Sequence, residues 1–326
     1  MTAAWVRGLL IGLALLAVPA GRAIAQDYPS RPVTIVLPYT AGGAVEAVAR
    51  LLGERLAQRL GRPFVIENRP GAGTGIAASY VAHAAGDGHT LLLATSTTMA
   101  INVGVYRNLA YDPVKDLAPV ALVAGVSFVL VVNPSLGIQS MADFIRVAKS
   151  TPGGLAYASF GHGSAAHLYA EMLKTMAGIE GTHIPYKGSP PALNDIVGGH
   201  VPWMFGDFAT AMPLVRAGKL VALGTSTAAR VAAAPDVPPV ADAVPGYDAS
   251  AWQMIVAPAG TPREIIARLN DELRRIVAEP DIEKEFSLRG FIPIVTPPPA
   301  ELETFVKSEI LRWGEVVKKA GAAGIE

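Results

Sequence analysis

The residues best placed to do chemistry lie in two short glycine-bearing turns of one design. Thr40-Ala41-Gly42-Gly43 follows the β-branched run Val33–Tyr39 and leads into a helical pattern from Ala44. Gly161-His162-Gly163-Ser164 follows Leu155–Phe160 and leads into a second helical pattern from Ala165. A strand that ends in a turn at a helix start leaves several N–H groups without intrahelical partners, aimed at whatever lies above the turn. Aligned peptide dipoles add partial positive charge there, so each turn is a candidate anion cradle. Two cradles far apart in the chain predict two lobes gripping one small acidic molecule.

Other side chains could complete such a site. Ser96 and Thr97 belong to a hydroxyl-rich run beyond the strand Leu91–Ala94, where parallel sheets place their ligand crevices. Ser159 adds a hydroxyl at the end of another strand. Lys187 and Gly188 follow the strand His183–Tyr186, where an ammonium would attract an acid. Asp207 closes a further strand; it is either a helix N-cap or a partner for an ammonium or hydroxyl on the ligand. Ser164 with His162 or His167 also raises a secreted serine hydrolase. The nucleophile elbow GxSxG is broken there, and Ser164 sits where an N-cap belongs, with His167 at the third helical position near a bound anion.

Metal and cofactor chemistry find little support. The six histidines form no HExxH, and His162 and His167 fall on different helix faces. Gly71-Ala72-Gly73-Thr74-Gly75 misses the dinucleotide fingerprint because Ile76 stands where its third glycine belongs, so a structural turn is expected. No GxxxxGK[ST] phosphate loop occurs, and no cofactor is expected.

Composition narrows the class. The chain has 326 residues, 51% of them hydrophobic, enough for two compact lobes with large cores. Lys plus Arg equal Asp plus Glu at 27 each, so no basic surplus exists to hold nucleic acid. Cysteine is absent, which excludes disulfides, thiolate metal sites and a cysteine nucleophile. At the N-terminus, Arg7, the apolar run Leu9–Val18 and Ala23-Ile24-Ala25 match a secretory signal cleaved after Ala25. The run is roughly half of the about 20 apolar residues that a bilayer crossing requires.

The elements that must position these residues alternate strand and amphipathic helix, the βαβ rhythm of parallel sheets with helices on both faces. Val45, Val48, Leu52, Leu56 and Leu60 recur at helical spacing and end at Gly61. Val120–Val132 reads as one Val- and Leu-rich stretch. Ser140 with Asp143 predicts a capping box. Thr261-Pro262-Arg263-Glu264 predicts an N-cap, a proline at the first helical position and a glutamate at the third. The Pro-rich stretch 234–245 is expected as a surface loop.

Several motifs occur in an order that resembles one family. They are Pro38-Tyr39-Thr40-Ala41-Gly42-Gly43, Glu67-Asn68-Arg69-Pro70-Gly71-Ala72-Gly73, Tyr111-Asp112-Pro113, Gly161-His162-Gly163-Ser164-Ala165-Ala166-His167 and Pro185-Tyr186-Lys187-Gly188. Trp203-Met204-Phe205 and Ala257-Pro258-Ala259-Gly260-Thr261-Pro262 agree. Together they resemble the tripartite tricarboxylate transporter substrate-binding proteins, the Bug family, over essentially the whole mature chain.

The resemblance implies a periplasmic-binding-protein type II-like α/β fold: two doubly wound lobes joined by two crossovers around a ligand cleft. Lobe one is expected at 27–124 with 253–326, and lobe two at 125–252, after a signal peptide at 1–25. It implies a monomeric periplasmic protein that delivers a small carboxylate (dicarboxylate, amino acid or aromatic acid) to membrane permease subunits; a sensor feeding a signalling receptor is the related alternative. Amides of Ala41–Gly43 and of Gly161–Ser164 would hold the carboxylates. The chain departs from the family pattern at Glu46, where aspartate is usual, at Asp207, where asparagine is frequent, and at His162, often a small polar residue.

Overall fold

The computed structural model describes residues 28–228, 230–319 and 321–324. The signal segment expected at 1–25 lies outside the described residues.

The chain begins β1 (Val33–Leu37), α1 (Ala44–Leu60), β2 (Phe64–Asn68), α2 (Gly75–Ala82), β3 (Thr90–Thr95) and α3 (Asn102–Val105). It continues β4 (Leu117–Val126), β5 (Phe128–Val132), α4 (Met141–Ser150), β6 (Tyr157–Ser159), α5 (Ala165–Ala177), β7 (His183–Pro185) and α6 (Ser189–Val197). Then come β8 (Trp203–Asp207), α7 (Phe208–Arg216), β9 (Val221–Thr225), β10 (Ala251–Pro258), α8 (Arg263–Val277), α9 (Pro280–Leu288), β11 (Phe291–Pro293) and α10 (Pro299–Lys319). The apolar stripe of α1 buries Val48, Leu52 and Leu56 completely, as its helical spacing requires. Ser140 caps α4 as predicted: its Oγ accepts the Asp143 N–H at 3.1 Å and donates to Asp143 Oδ2 at 2.9 Å.

Two sheets result. One has six strands in the order β11-β4-β10-β3-β1-β2, and the other five in the order β7-β6-β8-β5-β9. The parallel rhythm holds within β2-β1-β3 and within β7-β6-β8. It fails elsewhere. β10 runs antiparallel to β3 and β4, β11 to β4, and β5 to both β8 and β9. The reason is connectivity. Val120–Val132 is not one strand but two, broken at Ser127, where the chain leaves the first sheet and enters the second. After β9 it returns through 226–250 to β10, so a strand arriving from the other lobe meets its neighbours head to tail.

The two connections lie side by side. Ser127 Oγ and Thr227 Oγ1 are 3.0 Å apart. Phe128 N donates to Ser226 Oγ at 2.9 Å, and Ser226 N donates to Phe128 O at 2.8 Å. One continuous core spans the first sheet, these connections and one face of the second sheet; a smaller cluster around Val129, Met204 and Phe208 covers the other face. Tyr169 of α5 stacks on Trp313 of α10 with centroids 6.1 Å apart, so the last helix supports both lobes.

One helix start differs from its expected place. α8 begins at Arg263 with Pro262 as N-cap, not Thr261. The Thr261 amide donates to Pro258 O at 3.0 Å, closing a turn that delays the helix by one residue.

Candidate functional site

A cavity opens between the lobes. Its first wall is Tyr39 and Thr40 beyond β1, Gly43 and Val45 at the start of α1, and Thr95, Ser96 and Thr97 beyond β3. Its second wall is Phe160, Ala165, Ser189 and Asp207. The floor comes from the connections: Val126, Phe128, Ala251, Trp252 and Gln253. The whole space, including its open side, is ≈ 550 Å³, which suits a small molecule.

Family-like motifs act here as scaffolding. Asn68 Nδ2 donates to Tyr39 O at 2.9 Å and fixes the end of the first strand segment. Tyr111 OH donates to Thr98 O at 2.6 Å, and Asn102 Nδ2 donates to Gly73 O at 2.9 Å. These bonds hold the Thr97–Ile101 turn, which is π-helical. The turn at Gly71–Gly75 is structural. Gly73 has φ 54°, and a Cβ there would lie 2.3 Å from Tyr106 OH and 2.9 Å from His162 O. Glycine lets Tyr106 reach across to donate to His162 O at 3.4 Å.

Of the residues expected at the site, Tyr39, Thr40, Gly43, Ser96, Thr97 and Asp207 line the cavity. Ala41 and Gly42 are exposed. The Gly42 N–H is already committed to Glu46 Oε2 at 2.7 Å, and Arg50 pairs with the other oxygen of that carboxylate. The Glu46 carboxyl is pushed upward by burial, but the Gly42 amide and Arg50 outweigh that and hold it below the ordinary glutamate value.

The second glycine turn requires a correction. Its amides were expected to face the ligand, yet most are taken up within the protein. Gly161 N donates to Ser159 Oγ at 3.1 Å, Gly163 N to His167 Nδ1 at 3.0 Å and Ser164 N to Gly161 O at 3.2 Å. Ser159 is occupied further by His183 Nε2 at 2.6 Å. Ser164 Oγ accepts the His167 N–H at 3.3 Å, which is the N-cap role and not a nucleophile's. His167 stacks on His183 with centroids 3.9 Å apart and lies outside the cavity lining. His162 is exposed.

Lys187 is likewise exposed, and its backbone carbonyl, not its ammonium, faces the first lobe by accepting the Thr40 N–H at 3.5 Å. Gly188 is buried against Thr40, whose Oγ1 would lie 2.5 Å from a Cβ there. The lobes therefore meet across this pair, as they do at Thr97 and Ala165.

The described lining contains no Lys, Arg or His, and Asp207 is its acid. Asp207 Oδ1 accepts the Thr210 N–H at 3.0 Å as N-cap of α7. Burial raises its carboxyl above the ordinary aspartate value, although the hydroxyls of Ser189 and Thr210 and the amide of Thr210 pull the other way. Thr40 Oγ1, Ser96 Oγ and Gln253 Oε1 are buried and have no hydrogen-bond partner within the protein. Thr95, Thr97 and Ser189 add further hydroxyls, and the remaining lining is mainly apolar and aromatic.

With that geometry in place, comparison with known proteins decides the class. A family model described as the tripartite tricarboxylate transporter family receptor matches residues 48–322. The chain belongs to this receptor family. BugT of Bordetella pertussis is 35% identical over 317 residues, covering 97% of this chain and 96% of that protein. The solved structure "R. palustris Rpa4515 with adipate" is 39% identical with a TM-score of 0.88, covering 92% of this chain and 100% of that one. MatC (Rpa3494) from Rhodopseudomonas palustris with bound malate is 35% identical with a TM-score of 0.82, covering 89% and 100%.

This is the Bug-family resemblance read from the motifs, and the two-lobe α/β fold is that of periplasmic binding proteins. Such receptors bind solutes and are not enzymes, which removes the hydrolase alternative. Among the described residues no helix is long and apolar enough to cross a membrane. For this receptor, motif reasoning missed Gln253, Trp252, Ser189, Phe128 and Phe160 as cavity residues. Gln253 left a signal: it is the polar interruption of the apolar run Ala251–Ala257.

Proposed function

We propose that this receptor captures a small carboxylate in the interlobe cavity and presents it, with the lobes closed, to the membrane subunits of a tripartite transporter. The lobes expected at 27–124 with 253–326 and at 125–252 would move about Ser127 and the return connection beside it, with the boundary shifted so that the ends of β4 and β10 stay in the first sheet. The observation that carries the proposal is the convergence of buried, unpartnered Thr40 Oγ1 and Ser96 Oγ with the N-terminus of α1 on one cavity. Unpartnered buried hydroxyls each carry a desolvation cost of about 1–3 kcal/mol that a bound acid would relieve. The N-terminal dipole of α1 favours a carboxylate without a formal counter-charge. The adipate and malate held by relatives support the same ligand chemistry.

The test is a thermal-shift screen of the mature receptor against mono- and dicarboxylates and amino acids. A true ligand at a hundred times its dissociation constant stabilises the fold by about 2.7 kcal/mol. No shift with any acid, from a protein that melts cooperatively, would overturn the proposal.

A further inference from the structure

Resting on that proposed carboxylate function, we propose that the cavity is built for an apolar α-amino acid, with its carboxylate at the start of α1 and its ammonium on Asp207. Three observations carry it. The first is charge. The lining holds an acid and no cation, so a dicarboxylate would place two negative groups beside Asp207 with nothing formally positive to offset them. A zwitterion brings its own counter-charge.

The second is spacing. Thr40 packs directly on Gly188, and the next residue, Ser189, lines the cavity with Asp207 and lies 2.8 Å by its hydroxyl from that of Thr210, whose amide Asp207 caps. The anion end of the cavity and its buried acid are therefore neighbours across the lobe boundary, linked through one residue. A ligand whose carboxylate and ammonium are carried on the same carbon can reach both.

The third is the rest of the wall. Val45, Val126, Phe128, Phe160 and Trp252 give the cavity a largely apolar lining beside its polar groups, which suits a branched or aromatic side chain. An ammonium would draw Asp207 into its charged form. As N-cap it already accepts the Thr210 amide, and the start of α7 favours negative charge. A ligand ammonium would offset the cost of burying that charge, and a second carboxylate would increase it.

Isothermal titration calorimetry of the mature receptor tests this with L-leucine, L-phenylalanine, their desamino counterparts isocaproate and hydrocinnamate, and adipate. At least one amino acid is expected to bind about tenfold or more tighter than its desamino counterpart, the scale of one charge-assisted contact. Asp207→Asn, which preserves the helix cap, should remove that preference, with the amino acid weakened relative to a desamino acid that binds as tightly as before or more tightly. Ser189→Ala should narrow it. Equal affinities within each pair, or a preference that survives D207N, would overturn the inference. Tight adipate binding with no amino acid bound would overturn it while sparing the wider carboxylate function. If none of the five binds, the inference falls, and the carboxylate screen decides the wider function. Should D207N fail to fold, the wild-type ratio between each pair decides.

Discussion

Thr97 Oγ1 accepts the amide proton of Ala165 at 3.1 Å, tying the turn beyond β3 in one lobe to the first residue of α5 in the other. The first-turn amides of a helix lack intrahelical acceptors, so Ala165 depends on this partner from across the cleft. Thr97→Val keeps the shape and removes the acceptor. It is expected to cost about 1–3 kcal/mol in the closed form, the usual cost of an unsatisfied buried donor. Small-angle scattering should show a larger radius of gyration for T97V than for wild type, and ligand affinity should fall in parallel.

Glu46 gives a pH-dependent prediction. Its carboxyl is held below the ordinary glutamate value, burial opposing the Gly42 amide and Arg50 that win. A depressed acid contributes stability above its unfolded value, and that contribution disappears as pH falls through the folded one. Glu46→Gln should therefore melt lower than wild type near neutrality, and the two melting curves should converge in acid below the glutamate range.

Asp207 predicts the opposite sign. Burial raises its carboxyl, so the unliganded folded state holds a proton more tightly than the unfolded chain does. Stability then falls as pH rises from the ordinary aspartate value through the raised one. Without ligand, D207N should melt at or above wild type at neutral pH, with the gap closing as the solution is acidified. Differential scanning calorimetry across that range measures it.

The stacked imidazoles give a third titration. Burial lowers His167 to about 4, with Glu171 working against the shift and His162 and Lys174 adding to it; burial lowers His183 to about 2, helped by His167, His162 and Lys174. Tyr157 packs on both rings. A histidine depressed in the fold leaves stability intact above its unfolded value of about 6.5 and drains it as pH falls below. His183→Phe, which keeps an aromatic face for stacking, should flatten the loss of melting temperature between neutral pH and the lower value of His167.

Ser164→Ala separates capping from catalysis by simple measurement. The variant should lose about 1 kcal/mol in chemical denaturation, the typical worth of an N-cap hydroxyl. No ester or amide substrate should be turned over by either protein.

Much of the fold was legible because short-range rules governed it. Val48, Leu52 and Leu56 mark one face of α1, and Ser140, Ser164 and Asp207 are caps whose acceptor role depends only on the next three residues. The lobe-crossing strands were not legible as such. Nothing local distinguishes Val126 from Phe128, although a different sheet claims each. The site was legible as far as strand ends could point: Thr40, Gly43, Ser96, Thr97 and Asp207 all reach the cavity. The second glycine turn misled because its amides look free in sequence. The folded turn bends back so that Ser159 Oγ, His167 Nδ1 and Gly161 O accept those of Gly161, Gly163 and Ser164. Gln253 and Trp252 escaped because a floor made from connections between lobes has no motif of its own.

The paired connections at Ser127–Thr227 and Phe128–Ser226 place the exit and the re-entry of the five-stranded unit within hydrogen-bonding distance of each other. That unit is topologically an insertion, sewn into the six-stranded sheet between β4 and β10 at a single seam. A corresponding segment from a relative could be grafted at the same seam without rethreading the host sheet, so half of the cavity wall can be exchanged while the half built on α1 stays as it is.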